Sequence, residues 1–78
     1  MNQFNDNGLA HGYWEEWRPN GTLWYKGDFN NGLREGYWQR NWYNDNLHWK
    51  GYFINSERHG YWEFYDNYGK LEEKEFYL

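Results

Sequence analysis

Gly12-Tyr13-Trp14, Gly36-Tyr37-Trp38 and Gly60-Tyr61-Trp62 are one tripeptide written three times at a constant spacing of 24 residues. A period in the twenties marks a repeat architecture in which each unit is one supersecondary element. Working outward from the first copy, Tyr13-Trp14-Glu15-Glu16-Trp17-Arg18 is a short aromatic run that stops at Pro19-Asn20-Gly21. Leu23-Trp24-Tyr25-Lys26-Gly27-Asp28-Phe29 follows and stops at Asn31-Gly32. Short aromatic runs bounded by Gly, Asn and Pro read as strands, and Asn-Gly is a strong hairpin signal because both residues tolerate positive φ.

The later units repeat the plan: Tyr37 to Tyr43, then Leu47 to Ile54, then Tyr61 to Asp66 and Leu71 to Tyr77, separated by turns rich in Asn and Gly. Phe4-Asn5-Asp6-Asn7-Gly8-Leu9 parallels Phe29-Asn30-Asn31-Gly32-Leu33, with one extra residue before the following glycine. The pattern predicts an all-β fold, an antiparallel meander of about seven short strands in a single curled sheet. It is one domain over residues 1–78, with a partial unit at 1–11 and units at 12–35, 36–59 and 60–78. Residues 70–78 also carry good helix formers, but they align with strand segments of the earlier units.

An even period returns equivalent residues to the same face of a sheet. Pairing Arg18 with Thr22 sets Tyr13 opposite Gly27 and Trp17 opposite Leu23. The expected core face then holds Tyr13, Trp17, Leu23, Tyr25, Gly27 and Phe29, continued by Tyr37, Leu47, Trp49, Gly51 and Phe53 and by Tyr61, Tyr65, Leu71 and Tyr77. In this reading the glycine starts each strand and the tyrosines lie over Gly27 and Gly51. The other face shows Trp14, Trp38 and Trp62 with Trp24, Tyr52 and Phe64, set among Glu16, Lys26, Arg40 and Lys50.

A chain of 78 residues buries only about 60% of its unfolded surface. Cysteine is absent, which removes disulfides and thiolate metal sites. Seven Trp and nine Tyr supply the burial instead, since each large ring can remove roughly 150 to 250 Å² from water. The same rings oppose the disorder that a mean hydropathy of −1.42 would suggest. Net charge is −4 and the eight basic residues are scattered singly, so neither duplex nucleic acid nor an anionic membrane is an expected partner. With no leader-like N-terminus and no long apolar run, a soluble, cytoplasmic protein is expected.

The frame of Gly12, Gly36 and Gly60, Trp14, Trp38 and Trp62, Leu23, Leu47 and Leu71, and Phe29 and Phe53 resembles the MORN repeat. It is most similar to the variant of 22 to 24 residues found in bacterial proteins, some described as antitoxin-like; the likeness spans residues 4–77. The resemblance implies a repetitive sheet of hairpins that mediates protein contacts or dimerisation, with lipid head groups bound by some members. Lys74-Glu75 departs from the Lys-Gly pair of the earlier units, as a capping unit would.

Catalytic chemistry finds little footing. Ser56 and Thr22 are the only hydroxyl nucleophiles of their types, and Ser56 with His59 lacks a third member. His11, His48 and His59 read as exposed turn residues, and His11 and His59, two units apart, are too distant to share a metal. Glu15-Glu16 and Glu72-Glu73 are adjacent on strands, so each pair points to opposite faces. No catalytic residue, cofactor or metal is expected.

The expected function is a non-enzymatic protein-interaction module. It binds a protein partner with a basic surface, or a second copy of itself, through Trp14, Trp24, Trp38, Arg40, Tyr52 and Trp62. Small size, acidity and the resemblance together suggest an antitoxin, immunity or phage-type inhibitor role. The alternative is a module that stacks a glycan or single-stranded nucleic acid on the same rings.

Overall fold

Turn chemistry punctuates the chain. Asn31 and Gly32 both have positive φ, 51° and 85°, the backbone of a two-residue hairpin turn whose twist matches its strands. Asn55 and Ser56 adopt the same conformation, at 49° and 66°. At the other end of the sheet the longer turns close by main-chain bonds from Arg18 to Thr22 (2.9 Å), Trp42 to Asn46 (2.7 Å) and Asp66 to Lys70 (2.9 Å).

Between these turns the computed structural model, which describes residues 2–78, has seven strands. They are β1 Gln3–Phe4, β2 Ala10–Trp17, β3 Leu23–Asn30, β4 Leu33–Asn41, β5 Leu47–Ile54, β6 Glu57–Tyr65 and β7 Leu71–Tyr77. Each pairs antiparallel with the next in one open sheet, ordered β1 to β7. The all-β meander expected from the sequence is therefore present, and residues 71–77 form a strand. Met1, part of the partial unit at 1–11, lies outside the described residues. The sheet is a slab of 41 × 36 × 11 Å. Its radius of gyration of 13.3 Å exceeds the roughly 11.5 Å of a compact chain of this length.

Register corrects the expected faces. Trp17 pairs with Leu23 as expected, but Glu16 pairs with Tyr25, so Trp24 is an extra, bulged residue. The same bulge falls at His48, between the pairs Arg40–Trp49 and Asn41–Leu47. It recurs at Glu72, between Phe64–Glu73 and Tyr65–Leu71. One extra residue inverts side-chain parity along the rest of the strand. Tyr13, Trp17 and Leu23 consequently share one face, while Trp14, Tyr25, Gly27 and Phe29 share the other. Trp14, not Tyr13, stands opposite Gly27, and Glu72 joins Glu73 rather than opposing it.

The glycine of each tripeptide does not start its strand. Gly12, Gly36 and Gly60 lie inside β2, β4 and β6 with φ of 82°, 82° and 72°, a conformation that costs an L-residue energy and glycine little. Around Gly36 the β3–β4 register jumps from Lys26–Gln39 to Asp28–Glu35. That irregularity tips Trp38 back across β3, where a Cβ at Gly27 would fall inside its indole ring; Trp62 sits identically on Gly51.

These indoles are the core. Trp38 is 1% and Trp62 0% exposed. Phe4, Trp14, Phe29, Trp38, Phe53, Trp62 and Tyr77 form an unbroken edge-to-face ladder across the sheet. Its successive centroids are 5.2, 5.5, 4.9, 6.2, 5.0 and 6.1 Å apart, with planes at 79° to 89°. Such pairs contribute about 0.5 to 1.5 kcal/mol each beyond their buried area. Each indole N–H of the ladder is satisfied by a carbonyl of the preceding strand. Trp38 donates to Asp28 O (2.9 Å), Trp62 to Tyr52 O (3.1 Å) and Trp14 to Gln3 O (3.1 Å).

No second layer covers the ladder. Arginines from the same strands do so: Arg34 lies 5.0 Å over the Trp38 ring and 5.4 Å over Phe53, and Arg58 lies 5.0 Å over Trp62 and 5.6 Å over Tyr77. Cation–π contact and the aliphatic stems thus close the core while the charge stays in water. Ala10 takes the equivalent place above Trp14, which remains half-buried. At the β2 edge, beyond the short β1, the Asn2 side chain imitates a strand residue. Its Nδ2 donates to Glu15 O and its Oδ1 accepts from Glu15 N–H, each at 2.8 Å.

Candidate functional site

Five of the six residues expected to bind a partner lie on the indole face. Trp38 and Trp62 are buried in the ladder, Trp14 is half-buried in it, and Arg40 is half-buried beside it. Trp24 remains partly exposed, its ring 5.8 Å beneath the Arg18 guanidinium. Only Tyr52 lies on the other face. An exposed tryptophan stripe is therefore absent, because the glycines of the preceding strand draw these indoles inward.

The opposite surface, the tyrosine face, carries what the stripe was expected to carry. Tyr13, Tyr37 and Tyr61 are 40%, 76% and 49% exposed. Trp17, Leu71 and Phe76 are exposed on the same face, and Leu23 is buried between Trp17 and Asn41 at the turn end. The tyrosines stand two strands apart, about 10 Å by the usual strand spacing. Tyr37 meets Tyr52 edge-on at 5.1 Å. Two grooves run between the tyrosines. One of about 450 Å³ is lined by Tyr37, Lys50, Tyr52, His59, Tyr61 and Glu63. The other, of about 290 Å³, is lined by Tyr13, Lys26, Tyr37, Gln39 and Lys50. Tyr37 and Lys50 are common to both.

A polar row crosses the middle of this face with one residue from each of β2 to β7. Glu15 pairs with Lys26, Lys26 with Gln39, Gln39 with Lys50, Lys50 with Glu63 and Glu63 with Lys74. Lys50 Nζ lies 3.4 Å from Glu63 Oε1. Glu63 also accepts hydroxyl hydrogen bonds from Tyr65 (2.8 Å) and Tyr61 (3.1 Å). The Tyr65 bond, followed by those of Tyr61 and Lys50, holds the Glu63 carboxyl below its ordinary value against the opposing effect of burial. The same bond raises the Tyr65 hydroxyl.

A depressed carboxylate stabilises the fold above its unfolded value, and that contribution disappears as pH falls through the lower, folded value. Glu63→Gln should therefore lower the thermal midpoint at pH 7 and lose less stability than the parent between pH 5 and pH 3. Equal acid sensitivity of the two proteins in thermal scans would refute the assignment.

The histidines differ from expectation as well, since none lies in a turn. His11 and His59 are exposed on β2 and β6. His48 is half-buried at its bulge, stacked 3.6 Å from Trp42, and burial, then Arg40, lowers its basicity against a smaller opposing pull from Glu72. Among the described residues no group of His, Asp and Glu could hold a metal ion, and no helix is long and apolar enough to cross a membrane.

The candidate residues that sequence reasoning missed are the exposed tyrosines and the lysines beneath them. Their signal was present: Tyr13, Tyr37 and Tyr61, and Lys26, Lys50 and Lys74, recur as strictly as the tryptophans. Comparison with known protein families, curated proteins and solved structures found no match.

Proposed function

We propose that this chain is a non-enzymatic, MORN-like protein-interaction module whose tyrosine face recognises a protein. The observation that carries this reading is the division of labour between the faces. One is filled by an aromatic ladder closed by its own arginines; the other leaves Tyr13, Tyr37, Tyr61, Trp17 and Phe76 in water. Tyr and Trp with nearby charge are the chemistry of interaction hot spots, and apolar groups gathered on one surface mark an interface more often than chance.

The net charge of −4 supports a partner with a basic surface, as an antitoxin, immunity or phage-type inhibitor of the cytoplasm would mask.

A photo-reactive phenylalanine at position 37, expressed in the native host, tests the reading against the same probe at position 24 on the indole face. Adducts to protein from position 37 and none from position 24 are expected. Adducts to glycan or nucleic acid, or none from position 37, would overturn it.

A further inference from the structure

The polar row on the tyrosine face has a property that no single row of charges needs. Read from β2 to β7 it runs Glu15, Lys26, Gln39, Lys50, Glu63, Lys74. Laid over its own reverse, it matches at every position: Glu15 meets Lys74, Lys26 meets Glu63, and Gln39 meets Lys50. A two-fold axis parallel to the strands, lying between β4 and β5 in front of the tyrosine face, performs that reversal and keeps the two sheets' strands aligned.

The flanking rows obey the same operation. On one side stand Tyr13, Asp28, Tyr37, Tyr52, Tyr61 and Phe76, ordered by strand. Reversal sets Tyr13 on Phe76, Tyr37 on Tyr52, and the Asp28 carboxylate against the Tyr61 hydroxyl. On the other side stand Trp17, Leu23, Asn41, Leu47, Tyr65 and Leu71, and reversal sets Trp17 on Leu71, Leu23 on Tyr65 and Asn41 on Leu47. An axis perpendicular to the strands would instead set Glu15 on Glu15, Lys26 on Lys26 and Lys50 on Lys50, which like-charge repulsion opposes.

We propose that the tyrosine face is the interface of a homodimer in which two sheets stack face to face about the axis parallel to the strands. This rests on the reading of that face as a protein-binding surface and names its partner as a second copy. The interface is isologous: each contact occurs twice, once in each direction. Aligned sheets pack about 10 Å apart, the distance at which facing tyrosines interdigitate. A face bounded by extents of 41 and 36 Å is wide enough for the ~800 Å² per partner of a stable complex. Packing also gives the single-layered chain the second layer that domains are built from.

Sedimentation velocity on charge-swapped variants tests the proposal. The parent is expected to dimerise at micromolar concentration. Lys26→Glu and Glu63→Lys each set two like charges against each other across the axis, and each alone should dissociate at least ~10-fold more readily. Mixed in equal amounts they complement one another, and the dimer returns. Glu15→Lys with Lys74→Glu repeats the test at the other matched pair should Glu63→Lys fail to fold by circular dichroism.

A parent that remains monomeric at high micromolar concentration would overturn the dimer. So would variants that self-associate as tightly as the parent, or mixtures that stay monomeric. A monomeric parent whose position-37 probe still marks another protein would leave the face a binding surface and remove only the second copy as its partner. Loss of both results would remove the whole reading.

Discussion

Gly51→Ala is expected to destabilise the sheet by at least ~3 kcal/mol, an overpacking cost at the upper end of its usual range. For a chain this long the total stability is about 4 to 12 kcal/mol, so the substitution would remove roughly a quarter to three quarters of it. The cause is specific: the new methyl would occupy the space of the Trp62 indole, which is 0% exposed and held between the glycine backbone, Phe53 and Arg58.

The decisive measurement is the same substitution without that indole. In a Trp62→Ala background Gly51→Ala should be neutral or stabilising by about 0.5 to 1 kcal/mol, because alanine orders in a strand at lower entropic cost than glycine. Urea unfolding of the four proteins, in a stabilising osmolyte if needed, reads the coupling. Additive effects would show that the glycine serves backbone conformation rather than ring packing.

The second large effect separates two adjacent residues. Trp38→Ala should cost about 3 to 5 kcal/mol, the range for deleting a buried large aromatic, because it cuts the ladder at its centre and leaves Asp28 O without its indole donor. Tyr37→Thr, one residue earlier, should change the stability of the monomer by less than ~1 kcal/mol, as exposed substitutions do, since Tyr37 is 76% exposed. Its effect belongs to association: the variant should dimerise more weakly than the parent. A Tyr37 variant as unstable as the Trp38 one would overturn the assignment of faces.

The architecture was readable because it depends on local chemistry that repeats. Turn residues at Asn31-Gly32 and Pro19-Asn20-Gly21 delimit the strands, and antiparallel neighbours joined by short turns leave a meander as the simple outcome. Three features escaped the sequence: the glycine's place inside its strand, the burial of Trp38 and Trp62, and the exposure of Tyr37. All three follow from the bulged residues Trp24 and His48, together with the register jump beside Gly36. A bulge has little composition of its own, and an alternation argument carried past it assigns every later side chain to the wrong face.

The tripeptide period, the turns and the supply of aromatic rings were therefore determined by the sequence alone, because each is a property of neighbouring residues. Which ring is core and which is surface was decided only by tertiary pairing. Gly27 accepts an indole because the strand opposite it slips, and that slip is a relation between two strands which neither one encodes by itself. The tryptophans hold the sheet together, and the tyrosines beside them are what it presents.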